Sequence, residues 1–198
     1  MKNWRWENFA PAEVLSPHGL KLLRRNNLKL QGFALDGLQN FRTFIQAPIS
    51  VNHGHLKYRG YRSTAENAWL PGSTKKKPIR GAPDSTHVQG IAFDQNCYST
   101  TLPNFYVTAV RYSLEQARKS GGNPSHKGFR AIGVYPNKNF IHTDFRSFPR
   151  QKEDYVFLFN GEMKGYGFPL YEKDMPKTLP ALLQLLKREL RLPGHWSL

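Results

Sequence analysis

The chain of 198 residues contains one cysteine, Cys97. A single cysteine cannot form an intrachain disulfide, and it excludes a zinc cluster built on several thiolates. The chain also lacks an apolar run of the length that a transmembrane helix needs, and residues 1–7 lack the apolar core of a secretion signal. We therefore expect a protein without a membrane span that is synthesised in the cytoplasm without a signal peptide.

Acidic residues are few. The chain has 14 Asp and Glu against 29 Lys and Arg, which gives a formal net charge of +15. This balance favours an anionic partner, such as an acidic cell-wall polymer or a nucleic acid. A nucleic acid is disfavoured, because the sequence contains no helix-turn-helix, zinc-finger or RNA-binding motif. Lys75, Lys76, Lys77 and Arg80 lie in a predicted loop over 72–84, where they either face solvent or contact a polyanion.

The pattern of apolar residues predicts both helices and strands. Apolar residues make up 39% and aromatic residues 13% of the chain, which is typical of a globular fold. Periodic apolar positions predict helices over 13–25, 34–46, 103–119 and 179–191. Short segments bounded by turn residues predict strands over 88–95, 131–135 and 140–145, and a hairpin over 154–168. Together they predict an α+β fold with a small, mainly antiparallel sheet and helices packed on one side.

Two short segments offer metal ligands. Residues 85–94 read S-x-H-x-x-G-x-A-x-D and contain His87 and Asp94, and residues 140–144 read F-I-H-T-D and contain His142. Two histidines and one aspartate can hold a zinc ion and leave a fourth position open, as in a catalytic zinc site. Zinc held in this way lowers the pKa of water toward about 7 and polarises a carbonyl group. We therefore predict a single zinc ion between the segments that carry these residues.

Two roles are open to Asp144. On a strand, its side chain projects from the same face as that of His142. Asp144 can therefore accept a proton as a general base, or it can orient the imidazole of His142 through a hydrogen bond. His126, in the glycine-rich segment 121–128, is the alternative general base.

Three segments resemble, in the same order, motifs of the M15 family of zinc peptidases. This family includes D-alanyl-D-alanine carboxypeptidases and shares a core with the lysostaphin-like and hedgehog-like metallopeptidases. Residues 60–63 read G-Y-R-S, residues 85–94 match the first metal segment, and residues 135–146 follow Y-P-x-x-x-F-[VI]-H-x-D-x-R. The resemblance extends over residues 3–147. A basic insertion over 72–83 and extra residues over 52–58 depart from the family pattern.

The resemblance assigns roles to individual residues. It implies that the zinc ligands are His87, Asp94 and His142. It also implies that Arg62 anchors a carboxylate of the substrate, a task that suits the two-pronged guanidinium group. Tyr61 and Ser85 are expected to contact substrate beside Arg62. For Ser85, a hydrogen bond within a turn or to a neighbouring site residue is the alternative.

The resemblance also implies a fold and a function. It predicts a hedgehog/DD-peptidase-like domain over residues 1–147, with a C-terminal extension over 148–198, a hairpin and a helix, packed on the same domain. It implies a zinc metallopeptidase, either a carboxypeptidase or an endopeptidase, that acts on peptidoglycan stem peptides or cross-links. Such an enzyme would reach the wall through a holin during phage lysis, or inside a virion. The alternative is a non-catalytic structural or binding module that keeps the fold and the metal site.

Overall fold

The computed structural model describes residues 4–25, 31–52, 57–70, 81–82, 84–120, 128–146, 155–163 and 165–198. The basic residues 75–80 and His126 lie outside these ranges. The described helices are α1 (Pro11–Val14), α2 (Pro17–Arg24), α3 (Gly32–Ile45), α4 (Thr64–Ala68), α5 (Leu102–Ser120) and α6 (Leu179–Leu190). The described strands are β1 (Ala92–Gln95), β2 (Ala131–Tyr135), β3 (Phe140–Asp144), β4 (Tyr155–Asn160) and β5 (Gly167–Tyr171).

The strands form one five-stranded sheet in the order β1-β3-β2-β4-β5. Neighbouring strands are antiparallel except for β2 and β4, which run parallel. The prediction of an α+β fold with a mainly antiparallel sheet is therefore confirmed. β4 and β5 belong to the C-terminal extension, so this extension contributes two strands to the sheet that carries the metal motifs.

The two faces of the sheet have different surroundings. On one face, alternate strand residues belong to the same apolar core as residues of α3, α5 and α6. These strand residues are Phe93, Ile132, Val134, Ile141, Val156, Leu158 and Leu170. α5 packs on β2, β3 and β4, and α6 packs on β5. The alternate residues on the opposite face include Asp94 on β1 and His142 on β3, so the metal motifs meet on the face turned away from α5.

The helix predicted over 13–25 begins only at Pro17. α1 ends at Val14, Leu15 is extended, and α2 begins at Pro17. A proline disfavours helical conformation in the residue before it, and Ser16 instead caps α2 by accepting a hydrogen bond from the backbone N–H of Gly19. The extended Leu15 pairs with Tyr61. The pairing of Leu15 with Tyr61 therefore links the G-Y-R-S segment to the N-terminal helices.

The strand predicted over 88–95 begins only at Ala92. The residues before it form turns, in which the backbone N–H groups of Val88 and Gly90 donate to the carbonyls of Ser85 and His87. Gly90 has a φ of 73°, a left-handed conformation that glycine adopts without steric cost. His87 is therefore presented by a turn rather than by a strand.

The remaining elements lie close to their predicted positions. α3, α5 and α6 occupy the segments predicted as helices, and Thr178 caps α6 by accepting a hydrogen bond from the backbone N–H of Ala181. β4 and β5 form the predicted C-terminal hairpin, with Tyr155 opposite Tyr171. Within the part of the chain that the structure describes, no helix is both long enough and apolar enough to cross a membrane.

Candidate metal centre

The register of the sheet places Asp94 beside His142. β1 pairs with β3 so that these two residues lie directly opposite each other, and side chains in such pairs are about 5 Å apart. On the outer edge of β1, the backbone N–H of Asp94 donates to the carbonyl of Arg59 over 2.7 Å. This hydrogen bond brings the segment that contains G-Y-R-S next to the paired ligands.

His87, Asp94 and His142 form a compact group whose ligand atoms all lie within 4.8 Å of one another. Asp94 Oδ1 lies 3.3 Å from His87 Nε2 and 2.9 Å from His142 Nδ1. Both histidines are buried, whereas the side chain of Asp94 is 17% exposed. The structure therefore brings the three predicted ligands together, and Asp94 gives the group its contact with solvent.

The backbone carbonyl of Gly60 orients His87. The Nδ1 atom of His87 lies 3.0 Å from the carbonyl oxygen of Gly60. Because a carbonyl oxygen only accepts hydrogen bonds, Nδ1 carries the proton and Nε2 keeps its lone pair. This arrangement turns Nε2 toward Asp94. Metal-binding histidines commonly donate their other ring N–H to a carbonyl or carboxylate, so the contact suits a metal ligand.

A carboxylate orients His142 in the corresponding way. Asp144 Oδ2 lies 3.2 Å from His142 Nε2, which leaves Nδ1 facing Asp94. Asp144 has no exposed surface, and the Nε atom of Arg146 donates to both of its carboxylate oxygens over 2.8 and 2.9 Å. The Nη2 atom of Arg146 also donates to Oδ2. Asp144 is therefore held between a guanidinium group and the imidazole of a predicted ligand.

Burial and charge act in opposite directions on the pKa values of this group. Burial would lower the pKa of His142, but Asp144 and Asp94 raise it to about 9. Burial would raise the pKa of Asp144, but Arg146 and His142 lower it to about 2. Burial would likewise raise the pKa of Asp94, but the two histidines lower it. The pKa of His87 is lowered, mainly by burial. A metal ion that binds at neutral pH must therefore displace a proton from His142.

Arg62 lies at the border of the metal group. Its Nε donates to Asn67 Oδ1 over 2.9 Å, its Nη1 to the carbonyl of Tyr58 over 2.7 Å, and its Nη2 to Ser85 Oγ over 3.3 Å. Burial lowers the pKa of Arg62, and the nearby charge of Asp94 raises it. The three contacts fix the guanidinium group in place beside the predicted ligands.

Ser85 and Tyr61, both predicted to contact substrate, lie in different surroundings. Ser85 is buried, accepts the hydrogen bond from Arg62, and opens the turn that presents His87. The ring of Tyr61 lies against α2, since a Cβ at Gly19 would approach Tyr61 Cδ1 to 2.9 Å. Ser85 therefore joins the surroundings of the metal group, whereas Tyr61 packs on the N-terminal helices.

Three residues that support the site were missed by sequence reasoning. Gly60 supplies the carbonyl for His87, and a Cβ at this position would lie 2.0 Å from the carbonyl oxygen of Val14. Asn67, on α4, accepts from Arg62. Arg59 is half-buried near Asp94, whose charge raises its pKa against the lowering effect of burial. The glycine of G-Y-R-S was the only available signal, because a glycine in a motif can mark a close backbone approach.

The donor set fits a divalent metal ion. The tautomers described above direct Nε2 of His87 and Nδ1 of His142 toward the same carboxylate oxygen of Asp94. Two imidazole nitrogens and one carboxylate suit zinc and related transition metals. Among the described residues, this is the only cluster of three or more histidine, cysteine or acidic side chains with metal-binding geometry.

Comparisons with protein-family models, with curated proteins and with solved structures give no match to this chain.

Proposed function

We propose that the chain is a zinc-dependent peptidase with a hedgehog/DD-peptidase-like fold, and that it hydrolyses a peptide bond in peptidoglycan stem peptides or cross-links. The observation that carries this proposal is the convergence of His87 Nε2, Asp94 Oδ1 and His142 Nδ1. The other ring nitrogen of each histidine is hydrogen-bonded, to Gly60 or to Asp144. Three protein ligands are typical of catalytic rather than structural zinc sites. Bound zinc would polarise the peptide carbonyl and lower the pKa of a water molecule.

Within this proposal, Asp144 acts as the residue that orients His142. It is fully buried, and its oxygens are occupied by His142 and Arg146. A general base must come within hydrogen-bond reach of the proton that it removes, and a carboxylate enclosed in this way is poorly placed for that task. The role of general base then falls to His126, which lies outside the described residues.

Positive charge around the metal group supports an anionic substrate. Arg62 and Arg59 both lie close enough to Asp94 for its charge to raise their pKa values. Two guanidinium groups and a divalent ion exceed the negative charge of Asp94, and Arg146 offsets that of the neighbouring Asp144. Stem peptides carry free carboxylates, and a guanidinium fork can bind a carboxylate through two hydrogen bonds. We therefore assign substrate anchoring to this side of the site, with Arg62 as the first candidate.

One observation favours the alternative, a non-catalytic module that keeps the peptidase fold and metal site. Among the described residues, Asp94 and Asp144 are the acidic side chains in contact with the two histidines, and neither is placed to serve as a general base. A binding module would need the metal only to stabilise the fold. Activity, rather than metal content, separates the two functions.

The test combines metal analysis with a peptidase assay. Purified protein should contain zinc, and it should release amino groups from purified peptidoglycan. His142→Ala should lose both properties, because it removes one of three protein ligands. Zinc bound by a protein that releases no amino groups would support the module, and absence of metal from the wild-type protein would contradict both functions.

A further inference from the structure

A groove lies beside the metal centre, on the sheet face turned away from α5. Its volume is about 470 Å³. Four of its ten lining residues are aromatic, and most of the lining comes from the C-terminal extension. The principal lining side chains are Tyr135, Arg146, Phe157, Phe159, Met163 and Tyr166. We call this feature the β4–β5 groove.

The groove and the metal centre share one row of residues across the sheet. Asp94, His142, Gly133, Phe159 and Gly167 are successive partners in the register of the five strands. The ring of Phe159 lies 5.9 Å from that of His142, measured between centroids. A Cβ at Gly133 would approach Phe159 Cε2 to 2.2 Å, so glycine allows the ring to lie over β2 beside the metal ligand. Phe159 therefore belongs both to the wall of the groove and to the surroundings of His142.

Tyr135 forms a second wall of the groove, and here too a glycine leaves room for the ring. A Cβ at Gly161 would approach Tyr135 Cζ to 2.1 Å, so this glycine lets the tyrosine ring lie against the strand end. The ring also stacks on Phe140, with centroids 4.4 Å apart. Burial and the charge of Asp94 raise the pKa of Tyr135 to about 12. The hydroxyl group of Tyr135, protonated at neutral pH as in any tyrosine, can donate a hydrogen bond.

Arg146 adds positive charge to the groove. Its Nε and Nη2 donate to Asp144, yet its side chain is 38% exposed. A guanidinium group has five N–H donors, so donors remain for a carboxylate or carbonyl group in the groove. Tyr166, another lining residue, has the guanidinium group of Arg191 over its ring at 4.3 Å. Aromatic walls beside guanidinium groups match a peptide that carries carboxylates.

The dimensions of the sheet set the length of chain that the groove can hold. Adjacent strands are about 4.8 Å apart, so β5 lies roughly 14 Å from β3 across three strand spacings. An extended peptide advances about 3.3 Å per residue. The groove therefore accommodates about four residues of extended chain beyond the metal ion.

We propose that the β4–β5 groove binds the substrate peptide on one side of the scissile bond, and that the C-terminal extension thereby makes cleavage depend on peptide length. This proposal rests on the peptidase function proposed above. Phe159 forms the wall next to the metal ion, and Phe157 and Tyr166 contact residues farther along the peptide. The extension lies beyond the segments that resemble the M15 family, so this specificity belongs to the part of the chain that the resemblance leaves out.

The experiment measures kcat/KM for synthetic stem peptides from the dipeptide D-Ala-D-Ala to the pentapeptide, extended in one series on the amino side and in another on the carboxyl side. For the wild-type protein, kcat/KM should rise by about tenfold or more with length in one series, as expected for a well-packed aromatic contact. Phe157→Ala should bring the ratio of long to short substrate close to one. Phe157→Tyr keeps the ring and should keep the preference.

Controls separate this proposal from the proposed function. Phe44→Ala removes an exposed aromatic ring on α3 and should leave the length preference unchanged. Zinc content and Tm are measured for every variant. Cleavage without a length preference, or a preference that survives both Phe157→Ala and Tyr166→Ala, overturns the groove proposal alone. Absence of any peptide cleavage by the zinc-loaded wild-type protein overturns both proposals.

Discussion

Asp144 is enclosed between His142 and Arg146, and a single substitution separates its two roles. Asp144→Asn keeps the size of the side chain but removes its charge. We expect the affinity for zinc to fall by about 10- to 100-fold, as is typical when a residue that orients a metal ligand is changed. Competition with a chromophoric chelator measures this affinity. An unchanged affinity, with turnover lower by about 10²- to 10⁴-fold, would identify Asp144 as the general base instead.

Arg62 makes three hydrogen bonds that a lysine cannot reproduce. A single ammonium group cannot reach Asn67, Tyr58 and Ser85 in the geometry of the guanidinium fork. Arg62→Lys should therefore raise KM by about tenfold, equivalent to about 1.4 kcal/mol, and leave the zinc content unchanged. The matched control is Arg111→Lys on the exposed face of α5, where Arg111 pairs with Glu115. An unchanged KM for Arg62→Lys would remove Arg62 from substrate binding.

At the level of elements, the sequence identified the parts of the site but not how they are held. The histidines and the aspartate stood out because ligand types recur in two short segments. The strand predicted over 88–95 starts too early, because the alternation of Ile91 and Phe93 with Ala92 and Asp94 does not show that residues 88–91 form turns. The left-handed Gly90 precedes that alternation and belongs to the turns. The carbonyl of Gly60 and the parallel pairing of β2 with β4 depend on contacts between distant segments, which local patterns do not encode.

The approach of the G-Y-R-S segment to α1 depends on Gly60. A Cβ at this position would lie 2.0 Å from the carbonyl oxygen of Val14, so Gly60→Ala must shift the segment whose carbonyl orients His87. We expect a loss of about 1–3 kcal/mol in the free energy of unfolding, as for overpacking elsewhere, together with weaker zinc binding. Gly194→Ala is the control, since a Cβ there meets no atom within 4 Å. Equal Tm values for the two variants would contradict this account.

At the level of the whole molecule, the net charge of +15 predicts attraction to an anionic wall. The Debye length falls from about 10 Å at 0.1 M salt to about 3 Å at 1 M. Binding to intact peptidoglycan in a pull-down assay should therefore weaken steeply with salt, whereas cleavage of a small soluble stem peptide should change much less. Salt-sensitive binding to duplex DNA, with no binding to walls and no peptide cleaved, would support a nucleic-acid partner instead.

The central claim is that His87, Asp94 and His142 hold the zinc ion on which peptide hydrolysis depends. The most direct measurement is a titration of metal-free protein with zinc, in which the release of amino groups from peptidoglycan is followed at each addition. Activity should rise in proportion to added zinc and level off near about one equivalent per chain, as expected for a single site. Asp94→Ala should stay inactive throughout. Peptide cleavage that is independent of zinc, or full activity in Asp94→Ala, would contradict the account.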